Sequence, residues 1–276
     1  MVCRIEQTEQ QPEANAPAPA PQRVAYREYS ADGPMAEAPL AAEIALAITY
    51  NGLSQAVMMV SPGNLEDFIR GFSITNDIVN DLGEIYDIRL SHFPQACQAD
   101  VEISSRAFWA LKDHRRQMAG TSGCGLCGVE ALEQALPQLQ ILEPAALPPA
   151  EHLQGLRERI EQAQHMARSS GALHAALYFD EQGEVRLCQE DIGRHNALDK
   201  LIGALLQAGI DGSQGFTVVT SRCSLELIHK AVRARLGTLV SLSAPTALTV
   251  QWANKHRLNL ILSLIHISEP TRLRRI

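Results

Sequence analysis

Two cysteines set two residues apart, Cys124 and Cys127, lie within Gly120-Thr121-Ser122-Gly123-Cys124-Gly125-Leu126-Cys127-Gly128. Glycine lacks a Cβ and takes positive φ freely, so this segment is expected to be a bendable loop that exposes both sulfurs. Lys112, His114, Arg115 and Arg116 lie just upstream and would favour thiolate over thiol if they folded back nearby. Just downstream, Gly128 to Leu136 reads as a short helix stopped by Pro137. Its N-terminal dipole would point towards Cys127 and act in the same direction. The chemistry such a loop can do is that of reactive sulfur. Spacing alone divides evenly between sulfur transfer, thiol–disulfide exchange and metal binding. A zinc knuckle needs four ligands, and Cys3, Cys97, Cys188 and Cys223 are single and scattered. A thioredoxin-type pair fits the spacing, but no apolar strand runs straight into the first cysteine.

A second group of chemistry-bearing residues occupies three strand-to-helix turns. The first is Glu190-Asp191-Ile192-Gly193-Arg194-His195-Asn196, with Asp199 and Lys200 one turn on. The second is Ser221-Arg222-Cys223-Ser224, and the third is Ser243-Ala244-Pro245-Thr246. Each can present backbone N–H groups at a helix start, and Arg194 and Arg222 add fixed positive charge. Together they suit a phosphate or pyrophosphate. Asp191, Asn196, Ser224 and Thr246 also serve as ordinary helix caps, and an acid beside Arg194 can be a plain ion pair. His174 on an apolar strand reads as a core histidine, and Cys188 and Cys223 as small buried hydrophobes. Neither a Walker loop nor GxGxxG is present.

The elements that must position these groups follow from periodicity. Residues 1 to about 22 are rich in Gln, Pro, Ala and Glu and are expected to be disordered, with structure starting near Leu40. Ile44–Thr49 and Ala56–Val60 flank an Asn-Gly hairpin signal. Ser61-Pro62 reads as the cap and first position of a helix whose apolar face is Leu65, Phe68, Ile69 and Phe72. Tyr86–Leu90 and Val101–Ile103 alternate as strands, and Phe108, Leu111 and Met118 mark a helix ended by Gly120. Leu142–Pro149 reads as a linker. Beyond a helix bearing Leu153, Leu156, Ile160 and Ala163, strand and helix alternate to Ile261, which predicts a parallel or mixed sheet covered by helices. The expected divisions are a disordered segment at 1–34, a small α+β domain at 35–140, an α/β domain at 150–261 and a tail at 262–276.

The sulfur loop, the Glu190–Lys200 stretch, Thr220-Ser221-Arg222 and Ser243–Thr246 together resemble the formate dehydrogenase accessory sulfurtransferases (FdhD), in order from about Ala38 to Ile261. The resemblance implies a cytidine-deaminase-like α/β core, a smaller N-terminal part and a homodimer. It also implies a function: sulfane sulfur taken from a cysteine desulfurase is passed to the molybdenum or tungsten bis-guanine-dinucleotide cofactor of formate dehydrogenase. Cys124 would carry the persulfide and Cys127 would assist the relay. Glu190, Asp191, Gly193, Arg194, His195, Asn196, Ser221, Arg222, Ser243, Ala244 and Thr246 would hold the cofactor, for which a guanine nucleotide could substitute. The alternatives are a cofactor-binding chaperone that transfers no sulfur and a redox or zinc protein. Deamination is not implied, because His174-Ala175-Ala176 lacks the glutamate of the zinc deaminase signature. From Leu262 the chain departs from the family's glycine-bearing basic continuation. That tail is expected to be a non-native, poorly packed extension that weakens cofactor affinity.

Composition bounds the rest. The chain has 276 residues, 46% hydrophobic and 20% charged, as expected for a soluble globular protein. A formal net charge of -7 gives no general attraction to nucleic acid or anionic membrane. No apolar run reaches the length of a membrane span, and Met1–Gln7 lacks the apolar core of a secretory signal. A cytoplasmic location without structural disulfides is the expectation.

Overall fold

The structure is a computed structural model that describes residues 23–27, 35–120, 137–167, 171–263 and 273–275. The N-terminal half is built on a four-stranded sheet of β3 (Ile44–Tyr50), β4 (Leu53–Val60), β5 (Ile85–Phe93) and β6 (Ala96–Ile103), in the order β4-β3-β6-β5. Asn51 and Gly52 join β3 to β4 with φ of 46° and 80°, the paired positive values of the tight turn that matches strand twist. Side chains of period two then fix the buried face. Ile44, Leu46, Ile48 and Tyr50 of β3 point inward, as do Cys97, Ala99, Val101 and Ile103 of β6. Helix α1 (Leu65–Thr75) covers this face with Leu65, Phe68, Ile69 and Phe72, as its spacing predicts. Helix α2 spans Ser105–Gly120, and Cys124 and Cys127 lie outside the described residues.

The start of α1 corrects the sequence reading. Its cap is Asn64, held in the left-handed region at φ 55°, not Ser61. Ser61 is spent elsewhere: its N–H donates to Asp191 Oδ2 at 3.0 Å and its Oγ accepts from Ile192 N at 3.2 Å.

The C-terminal half carries a six-stranded mixed sheet in the order β12-β11-β10-β9-β7-β8. Its strands are β7 (His174–Phe179), β8 (Val185–Asp191), β9 (Phe216–Val219), β10 (Thr238–Ser241), β11 (Asn259–Ser263) and β12 (Leu273–Arg275). β9, β10 and β11 run parallel, while β7, β8 and β12 are antiparallel to their neighbours. Helices α4 (Arg194–Gln207), α5 (Leu225–Arg233) and α6 (Ala247–Lys255) pack on one face around Leu198, Leu201, Leu227 and Trp252. Helix α3 (Leu156–Ala163) and the turn before it cover the other face with Leu153, Leu156 and Ile160, against Leu177, Phe179 and Phe216. Burial on both faces explains why β9 and β10 read as continuous rather than alternating apolar runs.

Three further expectations change. A strand β1 (Arg23–Arg27) pairs antiparallel with β2 (Met35–Pro39), so part of the stretch expected to be disordered forms a hairpin. The proline-rich segment before α3 is a strap docked on the sheet rather than a free linker. Leu142 is buried and its N–H bonds to His256 O at 3.1 Å, while Asn259 Nδ2 donates to Ala145 O at 3.0 Å. The tail is not wholly unpacked either, because Leu273–Arg275 adds to β11 as an edge strand.

Candidate functional site

The sheet places the three polar turns at one edge. His174, at the start of β7, lies opposite Asp191, at the end of β8. Thr220 N donates to Ala175 O at 3.0 Å, which ties the carboxyl end of β9 to the same place. Ser241 Oγ bonds to Ser221 O at 3.3 Å and to Ser243 O at 2.9 Å, which draws in the end of β10. This is the edge at which open α/β sheets bind ligands. Helices α4, α5 and α6 all start there, each directly after a strand.

The helix starts differ in a useful way. Thr246 caps α6 by accepting from Thr249 N at 3.3 Å. Gly193 and Ser224, at the starts of α4 and α5, make no side-chain cap bond. The Ser224 hydroxyl is buried without a hydrogen-bond partner. First-turn N–H groups of α4 and α5 therefore remain for an anion, with the helix dipole adding to the attraction. Gly193 is needed for space rather than for a positive φ: a Cβ there would stand 2.6 Å from Asn196 Nδ2.

Charge at this edge is positive. Arg194 opens α4 half-buried and Arg222 is exposed on the β9–α5 turn. His195 Nε2 lies 2.9 Å from Glu226 Oε2, which joins the first turns of α4 and α5. Burial, with further pressure from Arg194, Lys230 and His174, pushes His195 down to about 4 against the opposing pull of Glu226. His174 is lowered by burial and by Arg194. Both shifts favour the uncharged rings, and an arriving anion would oppose them by favouring protonation.

The sequence model of the FdhD/NarQ family matches residues 41–265. The chain belongs to the FdhD/NarQ family. It is 42% identical over 221 residues to the sulfur carrier protein FdhD of Cupriavidus necator, covering 80% of this chain and 77% of that one. Identity to the FdhD of Xanthomonas oryzae pv. oryzae is 41% over 239 residues, covering 87% and 85%. The crystal structure of a formate dehydrogenase accessory protein from Desulfotalea psychrophila superposes with a TM-score of 0.68 at 22% identity, over 94% of this chain and 96% of that one. The mixed α/β fold expected from the sequence is thus shared with a solved structure.

The residues that carry the FdhD resemblance separate into two sets. Gly193, Arg194, His195, Ser221, Arg222, Ser243, Ala244 and Thr246 gather along the edge, although Ser221 is itself buried. Glu190, Asp191 and Asn196, expected from the sequence as cofactor ligands, are buried and make hydrogen bonds within the protein. Glu190 accepts N–H bonds from His165, Met166 and Ala167 at 2.9, 2.9 and 2.8 Å. Asp191 is fully buried and accepts from Ser61 N, Gly193 N, Asn196 Nδ2 and Lys200 Nζ. Asn196 Nδ2 also donates to Met59 O at 2.9 Å. A carboxylate with four donors has no lone pair left for a ligand. The ion pair considered for Arg194 is made by other residues: Asp191 pairs with Lys200.

Sequence reasoning missed Glu226 as the partner of His195 and Ser61 as the partner of Asp191. The only local hint of the first is an acidic residue in the first turn of α5. Cys124 and Cys127 lie outside the described residues. Cys97 and Cys223 are buried free thiols and Cys188 is half-buried, with burial pushing them up to about 11, 12 and 12 respectively. None of the three is an activated nucleophile. No helix among the described residues is long and apolar enough to cross a membrane.

Proposed function

We propose that this protein is a sulfur carrier in the maturation of formate dehydrogenase, acting as a persulfide sulfurtransferase. The observation that carries the reading is the family membership, with curated relatives at 41–42% identity that are named sulfur carriers. The edge with two helix starts free of side-chain caps, flanked by Arg194 and Arg222, supports an anionic cargo.

In this reading the Cys124 thiolate attacks the terminal sulfur of a cysteine desulfurase persulfide. An S–S bond forms on Cys124 as the desulfurase S–S bond breaks, and the desulfurase leaves as its own thiolate, so no external oxidant is needed. Cys127 assists the onward relay. The substrate is the molybdenum or tungsten bis-guanine-dinucleotide cofactor, whose phosphates would be held by Gly193, Arg194, His195, Arg222, Ser243, Ala244 and Thr246 around the buried Ser221. The family's homodimer and a cytoplasmic location belong to the same proposal.

Incubation with a cysteine desulfurase and cysteine, followed by intact mass measurement, tests it. One added sulfur is expected on the wild type and none on Cys124→Ala, while Arg222→Ala should still be loaded. A wild type that takes up no sulfur would overturn the reading.

A further inference from the structure

Lys200 is a fully buried lysine on the second turn of α4, and nothing in sulfur transfer calls for it. All three of its protons are used: towards Asp191 Oδ2 at 2.7 Å, Ser61 O at 2.9 Å and Glu190 O at 3.4 Å. Asp191 accepts in turn from Ser61 N at 3.0 Å, Gly193 N at 2.9 Å and Asn196 Nδ2 at 2.9 Å. Ser61 Oγ accepts from Ile192 N at 3.2 Å, and Asn196 reaches Met59 O at 2.9 Å. Each of these bonds ends on the β4–α1 corner of the N-terminal half or on residues 190–200, and two of them, at Ile192 N and Gly193 N, fix the backbone of 191–193 itself. That backbone aims Arg194 and His195.

A buried ion pair of this kind is a poor source of stability, since desolvation cancels most of its attraction. What it supplies is geometry. The donors and acceptors are saturated in one arrangement only, and a shift of the turn would leave a buried charge unpaired.

We propose that Asp191 and Lys200 are positioning residues, a buried lock between the two halves that aims Arg194 and His195 at the anion held on the sheet edge. The lock rests on the edge reading given under Proposed function. It makes the anion site a property of both halves, even though every residue expected to touch the anion lies in the C-terminal one. Burial pulls the Lys200 amine down while Asp191 pulls it up, so the pair is held charged only as long as both members stay in place.

The test uses the full chain with GDP as probe and two variants. Asp191→Asn/Lys200→Met removes both charges, which avoids stranding one of them. Ser61→Ala removes only the bond to Ile192 N. Two readings are taken on protein shown to be folded by circular dichroism. The first is the His195 titration by NMR, with Glu226, Arg194, Lys230 and His174 as the groups that face it. The titration should rise from about 4 towards the ordinary imidazole value in both variants. The second is the cost of Arg194→Ala to GDP affinity, about tenfold in the wild-type background and less than about threefold once the lock is removed. Folded variants in which His195 titrates as in the wild type and Arg194→Ala costs the same factor would overturn the proposal, since a merely structural pair lowers stability without touching either reading. If the double variant does not fold, Ser61→Ala decides by the same two readings. A wild type that does not bind GDP removes the anion reading alone, and the His195 titration still decides the lock.

Discussion

Gly71 of α1 lies against the main chain of Asp199 in α4 so closely that a Cβ on it would stand 1.8 Å from the Asp199 carbonyl oxygen. The contact is reciprocal, because a Cβ on Gly203 of α4 would stand 1.9 Å from Asp67 O of α1. Two helices from different halves of the chain therefore cross with backbone touching backbone, each contributing a glycine at the crossing. Replacing Gly71 or Gly203 with alanine sets two effects against each other. Higher helix propensity favours alanine by up to about 1 kcal/mol. A clash with main chain cannot be relieved by a rotamer change, and forcing helices apart costs about 3 kcal/mol or more. The clash should win. Urea unfolding of Gly203→Ala is expected to show a large loss of stability or no folded protein, and a stabilised variant would disprove the backbone contact.

The same crossing is tied by charge. Asp199 is almost fully buried and receives Lys230 Nζ at 2.7 and 2.9 Å, and Thr75 Oγ1 at 2.7 Å. Burial raises the Asp199 carboxyl above its ordinary value, against the opposing pull of Lys230 and Thr75. Lys230→Met should therefore strand a buried carboxylate and cost about 3–5 kcal/mol, whereas the matched Asp199→Asn/Lys230→Met change should cost much less. Chemical denaturation of the single and double variants measures this. Equal losses from both would mean that the pair matters for packing and not for charge.

Stability should also fall as the solution is acidified from neutrality. His229 is held down to about 4 by burial, assisted by Arg233 and His256 against Glu226, and its Nε2 is buried without a partner. His195 is likewise held at about 4. In the unfolded chain both rings take a proton near their ordinary value of about 6.5. Below that value the unfolded state binds more protons, so stability is complete above about pH 6.5 and is lost as pH falls towards about 4. The slope is on the order of 1 kcal/mol per pH unit for each well-buried ring, less for the partly exposed His195. Urea midpoints between pH 7 and 4.5 should show the decline, and His229→Phe should flatten it. A midpoint that does not change over that range would rule out both depressed imidazoles.

Local signals were legible where local physics decided the outcome. Asn51-Gly52 forms its turn, and the alternation of Ile44, Leu46, Ile48 and Tyr50 gives the buried face of β3 correctly. The start of α1 was misread because Ser61-Pro62 has the local form of a cap, while the Ser61 N–H and Oγ are claimed by residues about 130 positions later. The internal bonds of Asp191 and Asn196 are hidden from the sequence for a related reason. A polar run at a strand end is where ligands bind and also where two halves of a chain join, and only the partner, here Ser61 or Met59, tells the two apart. The strap at Leu142 looked like a linker because its proline-rich composition shows no periodicity, yet its bonds to His256 and Asn259 come from the far end of the sheet.

The two arginines at the edge should not contribute equally to anion binding. Arg194 is half-buried at the head of α4 and acts through a medium of lower dielectric, whereas Arg222 is exposed and screened by salt. With GDP as probe, Arg194→Ala should weaken binding about tenfold, and the loss should persist at high salt. Arg222→Ala should cost about threefold at low salt and almost nothing near 0.5 M, where the Debye length shrinks to a few ångströms. Calorimetric titration at two salt concentrations separates the cases, with guanosine as the control lacking phosphate. If guanosine bound as tightly as GDP and neither substitution mattered, the first-turn N–H groups of α4 and α5 would not be the phosphate site, and the uncapped starts at Gly193 and Ser224 would need another explanation.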